Sequence, residues 1–432
     1  MPRTLHPLAK TLNDDLGKDS PILAMLSKKG KRAYFPSRGI LGQSAEAKDA
    51  AINATIGTAF EEDGSPLCLE CLEEQVSLPD TAFLYAPSFG LPGLRETWRT
   101  MLFAKNPSLQ GKSVSLPVVT HALTHGLSVA GYLFVDAGDA IILPDLYWDN
   151  YELLFEEAYG GRLTTFPMFA KGRFNVAGLE ALLQAPGEKK IVILNFPNNP
   201  TGYTATEKDT AAIRLALLRA AKAGKKVVVI LDDAYFGLVY EPGVSKESLF
   251  TELADLHKNL LAVKLDGPTK EDYVWGVRIG FMTFGFKGAT AAQYKALEAK
   301  TAGAVRGSIS SGSSIGQHVL QKAYKLPAYA KQKQAKFEIL QRRYMRIKEI
   351  LAAHPEYRES FEPMPFNSGY FMCVKPLGVD AEALRKQLLA TRKTGVIVLM
   401  GLIRLAFSAV PYDKLDTLFA HLDATIREMK KA

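Results

Sequence analysis

Six short runs rich in Val, Ile and Leu, spaced through the middle of the chain, constrain its fold more than any other feature. They fall at 115–119, 140–143, 190–196, 226–231, 260–265 and 278–284. They show little polar alternation, which is the pattern of strands covered on both faces. Segments with helical periodicity lie between them. The clearest runs from Thr206 to Ala223, with Ile213, Leu215, Leu217 and Leu218 among Lys and Arg, and Gly224 at the stop position. Strand, helix, strand in repetition implies right-handed crossovers and a mostly parallel sheet between helices, an α/β architecture.

The C-terminal third reads differently. A long helix, basic on one side, is expected over 317–352. Glu362-Pro363-Met364-Pro365 follows, then strands over 369–375 and 395–407 and a last helix over 415–429. This is the pattern of a smaller α+β domain. The first 60 residues carry little periodicity and are expected to wrap onto it. A chain of 432 residues, at roughly 100–200 per domain, is thus read as a large domain over 61–334 and a small one formed by 1–60 and 335–432.

Charge and cysteine content exclude several classes. Lys and Arg number 53 against 45 Asp and Glu, a net +8. The surplus suits anionic ligands but is too dispersed to indicate nucleic acid. The basic tail of Arg427, Lys430 and Lys431 reads as a solvated helix end. No window reaches the roughly 18 unbroken apolar residues of a membrane span; the best, 131–144, is cut by Asp136 and Asp139. No secretory signal is visible at Met1-Pro2-Arg3. Three cysteines, Cys68, Cys71 and Cys373, argue against a disulfide framework and for a reducing compartment, the cytoplasm. Cys68 and Cys71 have C-x-x-C spacing, but no second pair completes a zinc site. Gly111-Lys112-Ser113 lacks the upstream glycine of a phosphate-binding P-loop, Asn106 standing in its place. His121 and His125 lack a third ligand and read as packing or surface residues.

Chemistry-bearing residues cluster where successive strands are expected to end, which is where open α/β sheets bind ligands. Pro197-Asn198-Asn199-Pro200-Thr201-Gly202 follows one strand, and Asp232-Asp233-Ala234-Tyr235 the next. Asp266-Gly267-Pro268-Thr269-Lys270 follows a third, with Arg278 eight residues further on. In this order and spacing the set resembles the pyridoxal-phosphate aminotransferases of fold type I, class I/II, the aspartate aminotransferase-like enzymes. The resemblance runs from about Gly57 to Arg404. It implies a seven-stranded, mostly parallel sheet and pyridoxal 5′-phosphate as cofactor.

The residue types suit that chemistry. A lysine is needed to form an imine with the cofactor's aldehyde, and Lys270 matches. Lys264, the nearest rival, lies inside the strand. A carboxylate must keep the ring nitrogen protonated; Asp232 matches, with Tyr235 three residues on, whereas Asp233 points to the opposite face of its strand. Tyr235 and Asn199 would hydrogen-bond the ring's phenolic oxygen. Arg278 offers a fork to the phosphate, and Ala122, Leu123 and Thr124 offer N–H groups at a helix N-terminus. The family's glycines are absent there. Gly267 stands where the family often has a serine, and Thr269 is expected to compensate. Trp148 resembles the aromatic residue stacked on the ring.

The resemblance also implies substrate contacts and a homodimer with shared sites. Tyr85 matches a tyrosine that reaches the neighbouring subunit's phosphate. Arg404 and Gly57 match contacts to the α-carboxylate. Arg306 lies where aspartate-type members bind a side-chain carboxylate across the dimer. The expected activity is therefore amino transfer between an amino acid, aspartate or glutamate, and a 2-oxo acid such as 2-oxoglutarate. The alternatives are an aromatic aminotransferase or a β-lyase on the same fold, and more remotely a non-catalytic ligand-binding module. No helix-turn-helix is legible ahead of the cofactor region.

Overall fold

The Val- and Ile-rich runs assemble into one seven-stranded sheet. The computed structural model describes residues 4–18, 20–34, 39–75 and 77–431. In chain order the strands are β1 (Val118–Thr120), β2 (Ala140–Pro144), β3 (Arg162–Phe166), β4 (Lys189–Asn195), β5 (Lys226–Asp232), β6 (Leu260–Asp266) and β7 (Gly280–Phe286). Their lateral order is β1-β7-β6-β5-β4-β2-β3. Only β7 runs against its neighbours, antiparallel to β1 and β6; the other pairings are parallel. The central strands are buried on both faces, as their composition requires: Val192, Val229, Ile230, Val263 and Leu265 are all 0% exposed. The β3 strand, Arg-Leu-Thr-Thr-Phe, is half exposed at the sheet edge, and hydrophobic density does not mark it.

The helices that frame the site are α1 (Pro92–Lys105), α2 (Ala122–Phe134), α3 (Glu207–Lys222), the single turn α4 (Pro268–Glu271), α5 (Ala291–Ile309), α6 (Ser314–Ala323) and α7 (Ala328–Ala353). The α3 helix begins at a capping box between Thr206 and Asp209, and Gly224 follows it with φ +90°, as its stop signal requires. The single helix expected over 317–352 is instead two, α6 and α7. Pro327 separates them, since proline cannot donate to the preceding turn and forces the residue before it out of helical geometry.

A second, antiparallel sheet has the order β8-β9-β11-β10, from β8 (Phe361–Pro363), β9 (Phe371–Pro376), β10 (Ile397–Leu399) and β11 (Leu402–Ala406). The strand expected over 395–407 is a hairpin. Met400 and Gly401 both have positive φ (51° and 74°), the requirement of a tight two-residue turn, and a methionine there gives little warning of it. The cover of this sheet comes from α8 (Ala381–Arg392) and α9 (Leu415–Lys431), whose Leu384, Leu388, Leu418 and Phe419 share a core with Ile403 and Leu405.

The N-terminal region holds short helices at Pro7–Leu16, Pro21–Met25, Lys28–Arg32 and Ile40–Glu46. It then runs along the second sheet. Ile52 and Asn53 pair with Thr394 and Gly395, and the Gln43 amide bonds both the N–H and the C=O of Val398. Arg32 reaches the other way, to Glu157 at 2.7 Å.

The two sheets meet at Gly202. Its φ is +69°, and a Cβ there would lie 1.8 Å from the Phe371 carbonyl oxygen. Gly202→Ala is expected to cost about 2–4 kcal/mol from strain and the forced separation of the sheets. Chemical denaturation measures it as a lowered midpoint.

Candidate active site

Parallel pairing sets Asn195, at the end of β4, level with Asp232, at the end of β5, and Asp232 level with Leu265 of β6. The three strands therefore open onto the same edge of the sheet. A cavity of about 230 Å³ lies there. Of the residues singled out in the sequence, Gly57, Ala122, Leu123, Thr124, Trp148, Asn199, Asp232, Tyr235, Thr269, Lys270, Arg278 and Arg404 all line it.

Asp232 is 3% exposed. Its Oδ2 accepts from the Tyr151 hydroxyl at 2.6 Å and its Oδ1 from the Ala234 N–H at 3.2 Å. Burial pushes its pKa up, while the Tyr151 hydrogen bond and the charge of Lys270 pull the other way. Asp233 is aimed to the opposite face, as strand alternation requires. There it meets the Lys264 ammonium and accepts from Ser248 Oγ at 2.6 Å. Lys264 is 0% exposed and also pairs with Asp266 at 3.1 Å, so it is held away from the cavity.

Lys270 sits on α4, just beyond the end of β6, with its Nζ 5.3 Å from the centre of the Tyr235 ring. Burial pushes its amine down to about 8; Asp232 opposes this and Arg278 adds to it. The amine is thus neutral in an appreciable fraction near neutral pH, as a nucleophile or base needs to be. Burial raises the Tyr235 phenol.

Arg404 projects from β11 and is 1% exposed. It donates to Asn199 Oδ1 at 3.0 Å and to the Thr55 carbonyl at 2.8 Å, and it lies 4.3 Å from the centre of the Phe371 ring. Its Nε has no hydrogen-bond partner, and no carboxylate among the described residues forms an ion pair with it. A buried guanidinium held by neutral groups is a receptor for an anion. Asn199 is fixed in turn, since its N–H donates to Asn195 Oδ1 at 2.8 Å.

At the other end of the cavity, Ala122 opens α2 with φ +58°. This left-handed conformation is the one glycine would adopt freely, and Thr120 Oγ1 braces it by donating to the Ala122 carbonyl at 2.9 Å. Arg278 also holds a left-handed conformation (φ 56°, ψ 46°); among the described residues its guanidinium has one hydrogen bond, a 3.4 Å contact to the Trp275 carbonyl. Thr269 Oγ1 is buried without a hydrogen-bond partner among the described residues. A helix N-terminus, a guanidinium free of carboxylates and an unsatisfied hydroxyl fit the phosphate of pyridoxal 5′-phosphate. The amine of Lys270 and the buried acid of Asp232 fit its ring.

Two sequence-predicted residues lie elsewhere. Tyr85 is 93% exposed, and Arg306 lies in the last turn of α5, bonding Ser310 Oγ at 2.6 Å. Neither lines the cavity of its own chain. The structure adds Asn195, Ile40, Trp275 and Phe371 to the lining, and Tyr151 behind Asp232. The strand-end position of Asn195 was a usable signal; the others come from tertiary packing.

Residues 60–422 match the family model described as aminotransferase class I and II. The aspartate aminotransferase of Bacillus subtilis (strain 168) is 28% identical over 198 residues, covering 46% of this chain and 47% of that protein. A probable N-acetyl-LL-diaminopimelate aminotransferase of the same organism is 26% identical over a stretch of the same length. The matched stretch spans about half the length of these curated relatives. Among solved structures, an aminotransferase from Anaerococcus prevotii aligns with TM-score 0.81 at 22% identity, covering 93% of this chain and 98% of that one. A Pyrococcus horikoshii kynurenine aminotransferase, solved in complex with PMP, aligns with TM-score 0.78 at 20% identity, covering 97% and 100%. The sheet order and the match over most of the chain agree: the protein belongs to the class I and II aminotransferases, the pyridoxal-phosphate-dependent family of this fold.

Proposed function

We propose that the chain transfers an amino group between an amino acid and a 2-oxo acid, with pyridoxal 5′-phosphate held on Lys270. The observation that carries this is the meeting, in one cavity, of an amine of lowered pKa, a buried acid and a guanidinium without a carboxylate. When bound, the cofactor supplies an electron sink beside the substrate's α-carbon. Arg404 holds the substrate α-carboxylate through its fork, with Gly57 leaving room beside it. Lys270 Nζ, in its neutral form, accepts the α-proton and later gives a proton back. Asp232 keeps a proton on the ring nitrogen, and Tyr151 orients it. Asn199 and Tyr235 face the phenolic oxygen. Trp148 covers the site against water. Arg278, Thr269 and the N-terminus of α2 (Ala122, Leu123, Thr124) hold the phosphate.

The acidic-donor reading needs a second copy of the chain. Tyr85 follows Phe83 and Leu84, which are 72% and 66% exposed, a surface suited to burial in a homodimer. Tyr85 and Arg306 would then complete the partner's site, at its phosphate and at the distal carboxylate of aspartate or glutamate. The domain limits 61–334, and 1–60 with 335–432, belong to the same proposal. The three free thiols suit a reducing compartment such as the cytoplasm.

One observation favours a second reading, an aromatic or apolar donor. A cavity of about 390 Å³ shares Ile40 and Trp148 with the first and is lined further by Leu8, Leu41, Leu153, Asp149 and Glu152. His6, Tyr34 and Asn150 also line it, and among the described residues its lining includes no Lys or Arg. Burial raises the Asp149 carboxyl, against the pull of Arg404.

Three outcomes are expected. Lys270→Ala should lose about 10²–10⁴-fold in turnover and take no borohydride-fixed cofactor at that position by peptide mapping; wild-type turnover would end the proposal. Arg306→Ala should reduce kcat/KM for aspartate by about 10–100-fold, the loss of a charge-assisted bond, and leave phenylalanine unchanged. An equal effect on both donors removes the assignment of Arg306 to a distal carboxylate. Tyr151→Phe leaves Asp232 without its 2.6 Å donor and should cost about tenfold in kcat, measured at saturating donor.

A further inference from the structure

The segment that carries Lys270 is unusually acidic: Asp266, Glu271 and Asp272 lie within four residues of it, and all three are at most 3% exposed. Each is matched by an ammonium from a different place in the fold. Asp266 pairs with Lys264 of β6 at 3.1 Å. Glu271 pairs with Lys105, at the end of α1, at 2.7 Å, and with Lys333 of α7 at 2.9 Å. Asp272 pairs with Lys333 at 2.7 Å and accepts from the Tyr329 and Tyr324 hydroxyls at 2.8 and 2.9 Å. Lys333 therefore bridges both acids that follow the reactive lysine. It is the only cation paired with Asp272 among the described residues. The same helix buries Tyr344, Ile347 and Ile350 in the core shared with the second sheet.

Buried charges are retained at a high desolvation cost. Two further bonds fix the turn itself. The Tyr370 hydroxyl donates to the Lys270 carbonyl at 2.8 Å, and the Asp272 N–H closes the turn on Pro268 at 2.9 Å. We infer that Lys333 is a positioning residue for Lys270. Paired with Asp272, it bolts the turn that carries the reactive amine onto α7 and offsets the negative charge behind that amine.

The charges facing the Lys270 amine on the cavity side are Asp232, Arg278 and, further off, Arg404, with the Tyr235 phenol alongside. On the protein side they are Asp266, Glu271 and Asp272, Asp233, which shares Lys264 with Asp266, and the lysines Lys264, Lys105 and Lys333. Against the push of burial, Lys105 and Lys333 hold Glu271 down at about 2, so it stays an anion throughout the neutral range. Removing Lys333 leaves an unmatched negative charge behind Lys270 and stabilises the ammonium. Removing the charge of Asp272 leaves an excess positive charge and does the opposite. A merely structural cluster predicts lower stability for both changes and no opposed shifts.

The inference rests on Lys270 being the cofactor-binding lysine, and the test separates the two. Cofactor-free full-length protein is mixed with pyridoxal 5′-phosphate, and growth of the visible band is followed across pH. Only the neutral amine adds its lone pair to the aldehyde carbon, with water leaving as the C=N bond forms, so the rate rises through the amine's pKa. Lys333→Met is expected to move the midpoint up by about one pH unit, a loading rate about tenfold lower below the midpoint. Asp272→Asn should move it down, and the double variant should return it close to wild type. Asp272→Asn carries the test alone if Lys333→Met does not fold, since its amide oxygen accepts from one tyrosine hydroxyl and its NH2 donates to the oxygen of the other. No band in the wild-type protein overturns the assignment of Lys270. A wild-type band with equal midpoints in all folded variants, or shifts of the same sign, overturns the role of Lys333.

Discussion

Parallel, in-register pairing of β4, β5 and β6 is the constraint from which the site follows. It brings three chain crossings to the same edge of the sheet, where the polypeptide turns away and leaves a cleft. A slip of one residue in β5 would exchange the faces of its side chains. Asp232 and Asp233 show what that exchange would mean. They are adjacent and chemically identical, yet one faces Tyr151 and the cavity while the other is neutralised by Lys264 behind the sheet. Backbone alternation alone assigns one to chemistry and the other to structure.

Electrostatics repeats that division. Asp266, Glu271 and Asp272 are each closed by a lysine, and hydroxyls take up part of what remains. Charges matched in this way contribute little net stability once desolvation is counted, but they fix geometry. Inside the cavity the opposite holds. Arg404 and Arg278 lack carboxylates, and Thr269 Oγ1 and Arg404 Nε lack any partner. Each unsatisfied buried group costs about 1–3 kcal/mol. Folding keeps them unpaired where an anionic ligand satisfies them.

Hydrophobic density marked the strand ends beside which Asn199, Asp232, Tyr235 and Lys270 stand. The family resemblance gave these residues their expected roles, and it alone pointed to Gly57, Trp148 and Arg404, whose contacts are distant in sequence. Ile40, Phe371 and the Thr55 carbonyl were not legible, because nothing in their neighbourhoods reports a contact with residues hundreds of positions away; Thr55 and Arg404 meet across 349 residues. The ions behind Lys270 were hidden for the same reason, although Asp266, Glu271 and Asp272 were in plain view. In the fold, β3 escaped because an edge strand does not need apolar residues on both faces. Over 317–352 the helical pattern continues across Pro327, which divides α6 from α7.

Arg404 belongs to the second sheet, whereas Lys270 and Asp232 belong to the first. The groups proposed to hold the α-carboxylate and to move the proton are thus carried by separate sheets, joined by a shared core, at Gly202 and Phe371, and by the Asn199–Arg404 hydrogen bond. A displacement of the second sheet would move the bound carboxylate relative to the amine, and productive geometry tolerates only fractions of an ångström. Lys333 lies on α7, whose Tyr344, Ile347 and Ile350 sit in the core that both sheets share. Its pairing with Glu271 and Asp272 therefore ties the turn that carries Lys270 to that common core.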